Sequence, residues 1–538
     1  MDPANQRKFT AFYWSFAEFG RHALSQDWAW FIGGIFLTSL VREIDGGLSR
    51  ITSLVLREFF VLSSFCTGTE LDLGFRRERF FFRYMCMIGD EDALRASWAF
   101  KGSSGNRICF KCKNCVRKGA ELPDGEYLKN HDCSTLAVFD PQTDADVYYS
   151  ADVLREAARQ ATTKASFEKL EMGFGLSHTV GGPLLDADLR PVISPIAGTR
   201  YDPMHCWFSN GAFQHELQLF MQTADKPWSW EDLCKFCGAD WRFPGEARLQ
   251  RSRTIAALMF AARKISEVGL PRLGASEALL ALDLVRHFAE TLSLSDEINR
   301  DFSLQLQSLR SMCSAALCCR NVKNGVAAPG ELTRRTEEYF GLRNRAYPEV
   351  APRPKLHYCL HLGDQAENDG MLLDCFVHER KHKDVKNLGG NIKSTSTYQT
   401  SVTAHAMWQH AQRLADVKDS FVGKSRLQAP LKHSLELTPL FGAPTLTARR
   451  AYLEHVVVTA GDVARLRDGS TIVVCLPVQV VGADVSIICW RTELRGRVTT
   501  SSATHRKTRI DVVSGHELTH VCTWSPADDE SLLVLAPE

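Results

Sequence analysis

Apolar and polar positions along this chain alternate with two different periods, and the change between them outlines its parts. Phe9 to Phe16 is dense in aromatics and predicts a strand. Trp28 to Val41, an apolar run between Asp27 and Arg42, is compatible with a buried strand running into a helix, though its periodicity alone does not decide. Asp45, Gly46 and Gly47 break it. Leu48, Ile51, Leu54, Val55 and Phe59 then fall on one helical face. Phe80 to Phe82 and Tyr84 to Ile88 form a β-prone run that stops at Gly89 and Asp90, and Glu91 to Trp98 reads as a helix opening on acidic residues. Residues 101–145 read as loop, Ala151 to Met172 as helix, 173–203 as extended and rich in Gly and Pro, and His205 to Met221 as an amphipathic helix. From Trp228 to Arg345 the helical period dominates, which predicts an all-α block. Lys355 to Lys386 is dense in His and charge, Ser394 to Ser401 is a Ser/Thr-rich loop, and 402–415 is helical. Past residue 447 the period shortens. His455 to Thr459, Ser470 to Leu476, Val478 to Trp490 and Thr508 to Val513 predict a small all-β domain.

Composition narrows the function classes. A chain of 538 residues holds two to four domains, and 44% apolar with 24% charged residues is ordinary globular usage. Lys plus Arg total 64 and Asp plus Glu 63, so no overall basic field draws in nucleic acid, and any such contact must come from local patches. The 17 cysteines are scattered, with one tight group at Cys109, Cys112 and Cys115, and the opening residues carry no secretory pattern. A reducing compartment, cytosol or nucleus, is expected. The longest apolar run, Trp28 to Val41, is shorter than the ~20 residues a bilayer span needs, so no membrane association is expected.

Four motifs carry candidate chemistry. Asp90 follows a hydrophobic strand and precedes a helix; it is either a carboxylate at a strand's C-terminal edge, where open α/β sheets place their ligands, or a helix N-cap. Cys109 and Cys112, followed by His131 and Cys133, have plausible spacing for tetrahedral zinc, with Cys115 competing for the last positions. Such an ion would staple the fold; the alternative is unrelated surface thiols. Asp202, Pro203 and His205 fit a cap followed by a helix, which accounts for the Asp and the Pro but not for His205. Finally, Glu379, His382, Lys383 and Lys386 share a helical face, a carboxylate among cations that suits a metal or phosphate site as well as a solvated charged helix. Upstream, His357 and His361 stand at i, i+4, where packing or capping is the commoner role and metal binding the rarer one.

The order of these motifs is more specific than any one of them. A strand ending in Gly89-Asp90, Lys101 to Gly105 running into Cys109 and Cys112, the Asp202-to-His205 string, an α-only block, then His357 and Glu379 to His382 resemble the CACTA-type (EnSpm-like) DDE DNA transposases over about residues 5–390. The resemblance implies an α/β RNase H-like core with an all-α insertion and a zinc-knuckle loop, beside the C-terminal small all-β domain, for which no counterpart is seen. Core segments are then expected at 1–100, 141–225 and 346–415, the zinc loop at 101–140, the insertion at 226–345 and the β domain at 447–538. Phe80 to Ile88 becomes the fourth core strand. Asp90 and Glu379 become metal-binding acids for two Mg²⁺ ions, with Asp202, His205 and His382 in support and Lys381, Lys383 and Lys386 touching phosphate. DNA is the implied partner, the nucleus the implied location, and self-association is compatible with the class. The family's first catalytic aspartate has no counterpart: if Phe9 to Phe16 is the second strand, the first precedes residue 1, and Asp2 lies outside any strand. A transposase-derived protein inactive in DNA cleavage is therefore expected, the alternatives being a zinc-stapled nucleic-acid-binding or scaffold protein and an unrelated zinc enzyme using His357, His361 and His382.

Overall fold

The computed structural model describes residues 8–72, 77–117, 128–160, 163–222, scattered positions between 275 and 289, 302–392, 397–417 and most of 425–535. The chain divides into two compact units, one taking in Met1–Cys206 and Glu349–Ala415, the other Trp207–Pro348 and Asp416–Glu538. In chain order the helices that matter are α1 Gly47–Arg57, α2 Glu91–Trp98, α3 Asp144–Arg159, α4 Ala212–Gln222, α5 Ser303–Lys323, α6 Pro329–Ala346, α7 Pro354–Leu360, α8 Leu362–Asp369, α9 Phe376–Asn391 and α10 Tyr398–Val417. None among the described residues is long and apolar enough to cross a membrane.

In the first unit, β1 (Phe9–Trp14) and β2 (Phe31–Leu37) pair antiparallel, Phe9 opposite Leu37. Phe9, Ile32 and Ile35 project from this ribbon onto Val385 of α9 and onto Tyr398, Val402 and Ala406 of α10. The apolar period of the strands thus meets that of two helices more than 300 residues later in the chain. The β-prone run around Phe80 divides where a single strand is expected. β3 (Thr69–Asp72) and β4 (Arg77–Phe80) close a hairpin, 81–86 is irregular, and β5 (Met87–Gly89) pairs in parallel with β6 (Thr199–Tyr201). Phe80 and Phe81 are exposed whereas Tyr84 is the group whose ring Gly198 approaches. The run is therefore two short strands joined by an irregular stretch of alternating exposure and not one continuous strand. Among the described residues β1–β2 and β5–β6 are separate two-stranded sheets. The helix expected over 151–172 is likewise two pieces, α3 and Lys164–Phe174, because Thr143 and Thr163 each cap a new start.

In the second unit α5 packs on α4 and α6. Their interface buries Glu216, whose carboxylate accepts from Ser308 Oγ at 2.5 Å and Tyr339 Oη at 3.2 Å, with Arg343 Nε at 4.0 Å. The rest of the predicted helical block, from 226 to 301, lies almost wholly outside the described residues. The C-terminal strands β7 (Val463–Leu466), β8 (Thr471–Val480), β9 (Val485–Leu494), β10 (Ala503–Ser514), β11 (Leu518–Pro526) and β12 (Ser531–Leu535) form a closed antiparallel ring. Around it the order is β7, β8, β9, β10, β12, β11 and back to β7. Ile472, Val474, Val485, Ile487, Cys489, Val513 and Leu518 belong to the core cluster of this region, alternating along their strands as a barrel interior requires.

Candidate metal centres

Both candidate centres lie in the first unit. At the first, β5 ends at Gly89 and Asp90 caps α2, its Oδ1 accepting from Ala93 N at 2.6 Å. The two readings of Asp90 are therefore compatible: one oxygen caps the helix, and the other lies 4.0 Å from His205 Nε2. Glu379, in the first turn of α9, brings Oε1 to 3.9 Å from the same nitrogen. The two carboxylate oxygens can be no farther apart than the sum of those distances, inside the ~10 Å scale of a two-metal site. Asp90 and Glu379 side chains are 42% and 52% exposed, so this centre is open to solvent.

Asp202 is the fixed point of the centre. Its side chain is fully buried, and its Oδ1 accepts from Met204 N at 3.1 Å and from Cys375 N at 3.0 Å, just ahead of α9. Oδ2 is hydrogen-bonded to His205 Nδ1. One carboxylate thus ties the turn bearing His205 to the start of the helix bearing Glu379. Burial pulls the His205 imidazole down, but the Asp202 hydrogen bond and the charges of Asp202, Asp90 and Glu379 outweigh it and hold it above its ordinary value. Glu379 is pushed up, first by burial and then by the neighbouring Asp202 and Asp90, while His205 pulls the other way.

The remaining residues of α9 part ways. Lys383 and Lys386 are exposed, and Lys386 lies near enough to lower Glu379. Lys381, expected to touch phosphate, is 4% exposed; its Nζ donates to the Asp27 carbonyl at 2.9 Å and to that of Trp30, and meets His410 Nδ1 at 3.0 Å. It seals the helix against the chain before β2 and cannot reach a ligand. His382, expected in support of the acids, packs instead on β1, its ring 4.6 Å from that of Phe9 and its Nδ1 3.4 Å from Tyr13 Oη. The helical wheel places 379, 382, 383 and 386 together; the sheet under α9 decides which of them are covered.

The second centre is a buried Cys2His2 cluster of Cys109, Cys112, His357 and His361 that can hold a metal ion such as zinc, its ligand atoms all within 4.8 Å of one another. Cys109 Sγ lies 3.2 Å from His361 Nε2, Cys112 Sγ 3.6 Å from His357 Nε2 and 3.5 Å from His361 Nε2, and the two Nε2 atoms 3.3 Å apart. A tetrahedral zinc at ordinary bond lengths sets about 3.3 Å between nitrogens and about 3.6 Å between nitrogen and sulfur. Against the effect of burial, the Cys112 hydrogen bond and the two imidazoles hold the Cys109 thiol far below its usual range; Cys112, donating to it, is pushed up. A cation among them would free both thiolates.

The knuckle pair was legible in the sequence; its partners were not where proximity suggested. His131 is buried, but its Nε2 meets the Pro352 carbonyl at 2.8 Å and its Nδ1 that of Val116 at 3.3 Å, so it stitches the 128–133 segment to the chain ahead of α7. Cys133 is half-buried and lies outside the cluster. His357 and His361 fill the set because α7, opened by Pro354 at its first turn, presents i and i+4 on one face.

Two residues that sequence reasoning passed over join the centres. Tyr201 closes β6; its Oη lies 3.3 Å from Cys109 Sγ and accepts from Phe110 N at 3.0 Å, and its ring stacks on Tyr358 at 4.4 Å. The next residue is Asp202. Gln365 of α8 clamps Tyr201 from the other side, accepting from its N–H at 2.9 Å and donating to its carbonyl at 3.1 Å. No composition signal marks either one, since each works through buried contacts with residues far away in the chain. Compared with known families and with curated proteins, the chain matches no family model and no curated sequence.

Proposed function

We propose that the first unit is an RNase H-like core related to the CACTA-type DDE transposases, that its partner is DNA, and that it holds a strand's phosphates more readily than it cuts them. The observation that carries this reading is the convergence of Asp90 and Glu379, from distant parts of the chain, on one ring nitrogen of His205. It is supported by an acid at the C-terminal end of a parallel strand, by a second acid in the first turn of a late helix, and by a helical segment between Asp202 and that helix.

In this reading Asp90 and Glu379 hold Mg²⁺, which when bound supplies Lewis-acid stabilisation to a phosphodiester oxygen. Asp202 positions His205 and α9. Lys383 and Lys386, exposed beyond Glu379, contact backbone phosphates without reading sequence. The Cys2His2 ion is zinc and structural, because four buried protein donors leave it no open position. The described residues near His205 Nε2 offer two carboxylates, one short of the three acids of the family, which favours binding over cleavage. A nuclear location follows from a DNA partner.

The test is duplex binding across a salt series, with nicking of supercoiled plasmid in Mg²⁺ and Mn²⁺ followed in parallel. The expected result is binding that weakens steeply with salt, and nicking that is slight and vanishes in Glu379→Ala. Absence of binding at about 50 mM salt, where phosphate contacts are strong, would overturn the DNA reading. Efficient nicking abolished by Glu379→Ala would keep the family and reverse the ranking of binding over cleavage.

A further inference from the structure

We propose that two copies of this chain join along β10, antiparallel and in one register: Ile510 opposite Ile510, and Arg509 of each copy opposite Asp511 of the other.

The two sides of β10 are filled unequally. Toward β9 its pairing runs from His505 to Ser514. On the other side β12 takes Ala503–Arg506, and among the described residues no strand follows it along Lys507–Ser514. The backbone there uses local substitutes. Val512 N–H donates to Asp511 Oδ1 at 2.8 Å, and Ser514 N–H to Glu517 Oε1 at 3.3 Å. Both groups therefore turn away from β9, and the alternation of an antiparallel strand turns those of Ile510 the same way. The side chains stand in solvent as well: Arg509 is 75% exposed, Ile510 60% and Val512 40%. A row of outward amides flanked by β-branched side chains is a template for another strand.

Charge selects the occupant and its register. Two antiparallel copies must bring their outward-facing residues together, so the twofold axis passes beside one of positions 508 to 512. An axis at 508 sets Lys507 against Arg509, one at 509 sets Arg509 on itself, and one at 511 sets Asp511 on itself. Like charges directly opposite are destabilising. An axis at 512 gives Arg509 and Asp511 no opposite charge. Only an axis at 510 sets Arg509 against Asp511, twice over, in the pair type whose side chains lie closest. Ile510 then meets its own copy, and Thr508, at the register shift of the β9 ladder, meets Val512. The two charges are free to do this. Asp511 Oδ2 is held by Arg491 Nε at 2.9 Å and lies 3.9 Å from Arg509, while Oδ1 is released once Val512 N–H enters the ladder.

So short a ladder buries less than a standard interface, so the dimer should be weak, half formed at roughly 10–100 µM. Sedimentation velocity of the full chain, its Cys2His2 cluster loaded, is expected to pass from monomer to dimer across that range. Ile510→Lys, which sets two lysines on the axis, and Arg509→Asp, which sets Asp against Asp, should each weaken association at least tenfold. Asp511→Lys should do the same by setting Lys against Arg. An equimolar mixture of Arg509→Asp with Asp511→Lys should associate again, because every facing pair is then of opposite sign. Circular dichroism checks each fold, above all that of Asp511→Lys, which also gives up Arg491. A mixture of folded variants that stays monomeric would overturn the register. A parent chain monomeric well above that range would overturn the dimer, and protection of the Ile510 and Val512 amides from hydrogen exchange in that monomer would assign the edge to another occupant. A dimer unmoved by both Ile510→Lys and Arg509→Asp would overturn it as well, since its interface would lie elsewhere.

Discussion

The two centres of the first unit are built from similar material and reach opposite ends. Each gathers side chains from distant parts of the chain, and each includes a histidine. At the Cys2His2 cluster four ligands are buried and their atoms point at one another. At the Asp90–His205–Glu379 cluster the carboxylates are about half exposed and lie 3.9–4.0 Å from the His205 ring nitrogen. A closed, buried set of thiolates and imidazoles gives its binding energy to the fold; an open set of oxygens keeps coordination positions for something that comes and goes.

The largest effect should follow from breaking the closed centre. Structural zinc in small domains contributes roughly 10–16 kcal/mol of apparent folding energy, comparable with the whole stability of a domain. Chelation of the purified chain, or Cys109→Ser with His361→Ala, is expected to lower the thermal midpoint by more than about 10 °C, with one equivalent of metal lost by elemental analysis. An unchanged midpoint in metal-free protein would show the cluster to be idle, and the contrast with the open centre would collapse.

The next effect tests whether burial alone makes a carboxylate indispensable. Asp202→Ala strands two buried backbone N–H groups and the His205 ring, and should cost about 3 kcal/mol in denaturant unfolding. Glu216 in the second unit is the counterpart. Burial raises its carboxyl to about 7, against the opposing pull of Ser308, Arg343 and Tyr339. Because the folded state then binds a proton that the unfolded chain releases near pH 4.5, stability should fall by about 3 kcal/mol as pH rises from there to about 7. Glu216→Gln should flatten that slope. A slope already flat in the parent protein would show that Arg343 keeps Glu216 ionised.

The smallest effects on stability belong to the open centre. Glu379→Ala should change unfolding energy by no more than about 0.5 kcal/mol, as for other exposed positions. Asp90→Ala should cost about 1 kcal/mol through its helix cap alone. Both should weaken divalent-ion binding at least tenfold, measured by calorimetric titration. A loss of several kcal/mol at Glu379 would mean that it is structural after all, and the two centres would no longer differ in kind.

How much of this could be read from the sequence follows the same division. Local geometry was legible: the Cys109–Cys112 knuckle, the Asp90 cap and the Asp202-to-His205 string are fixed within a few residues of themselves. Partners were legible only when some pattern marked them. His357 and His361 carry the i, i+4 signature, yet nothing in the sequence couples them to cysteines some 245 residues earlier, and the nearer His131 and Cys133 looked the better match. A helical wheel already sets Lys381 off the face that carries Glu379 and Lys383, but it names no neighbours; the carbonyls of Asp27 and Trp30 make Lys381 a buried fastening, and Lys383 stays in solvent. The β-prone run at Phe80 misled because propensity records what a residue tolerates and not its partner: Arg77–Phe80 pairs with Thr69–Asp72, and Met87–Gly89 with Thr199–Tyr201.

The ring formed by β7 to β12 restricts how that region can meet other molecules. The sheet closes on itself, yet β12 pairs only with Ala503–Arg506 of β10, so among the described residues Lys507–Ser514 has a ladder partner on the β9 side alone. A shorter edge beside it belongs to Lys432–His433, two residues long and carrying a lysine, which discourages addition of another strand. The exposed Ile510 and Val512 lie on that same stretch of β10, so apolar side chains stand beside the open backbone. Such a surface can change its partner by point substitution without disturbing the pairing that holds it together.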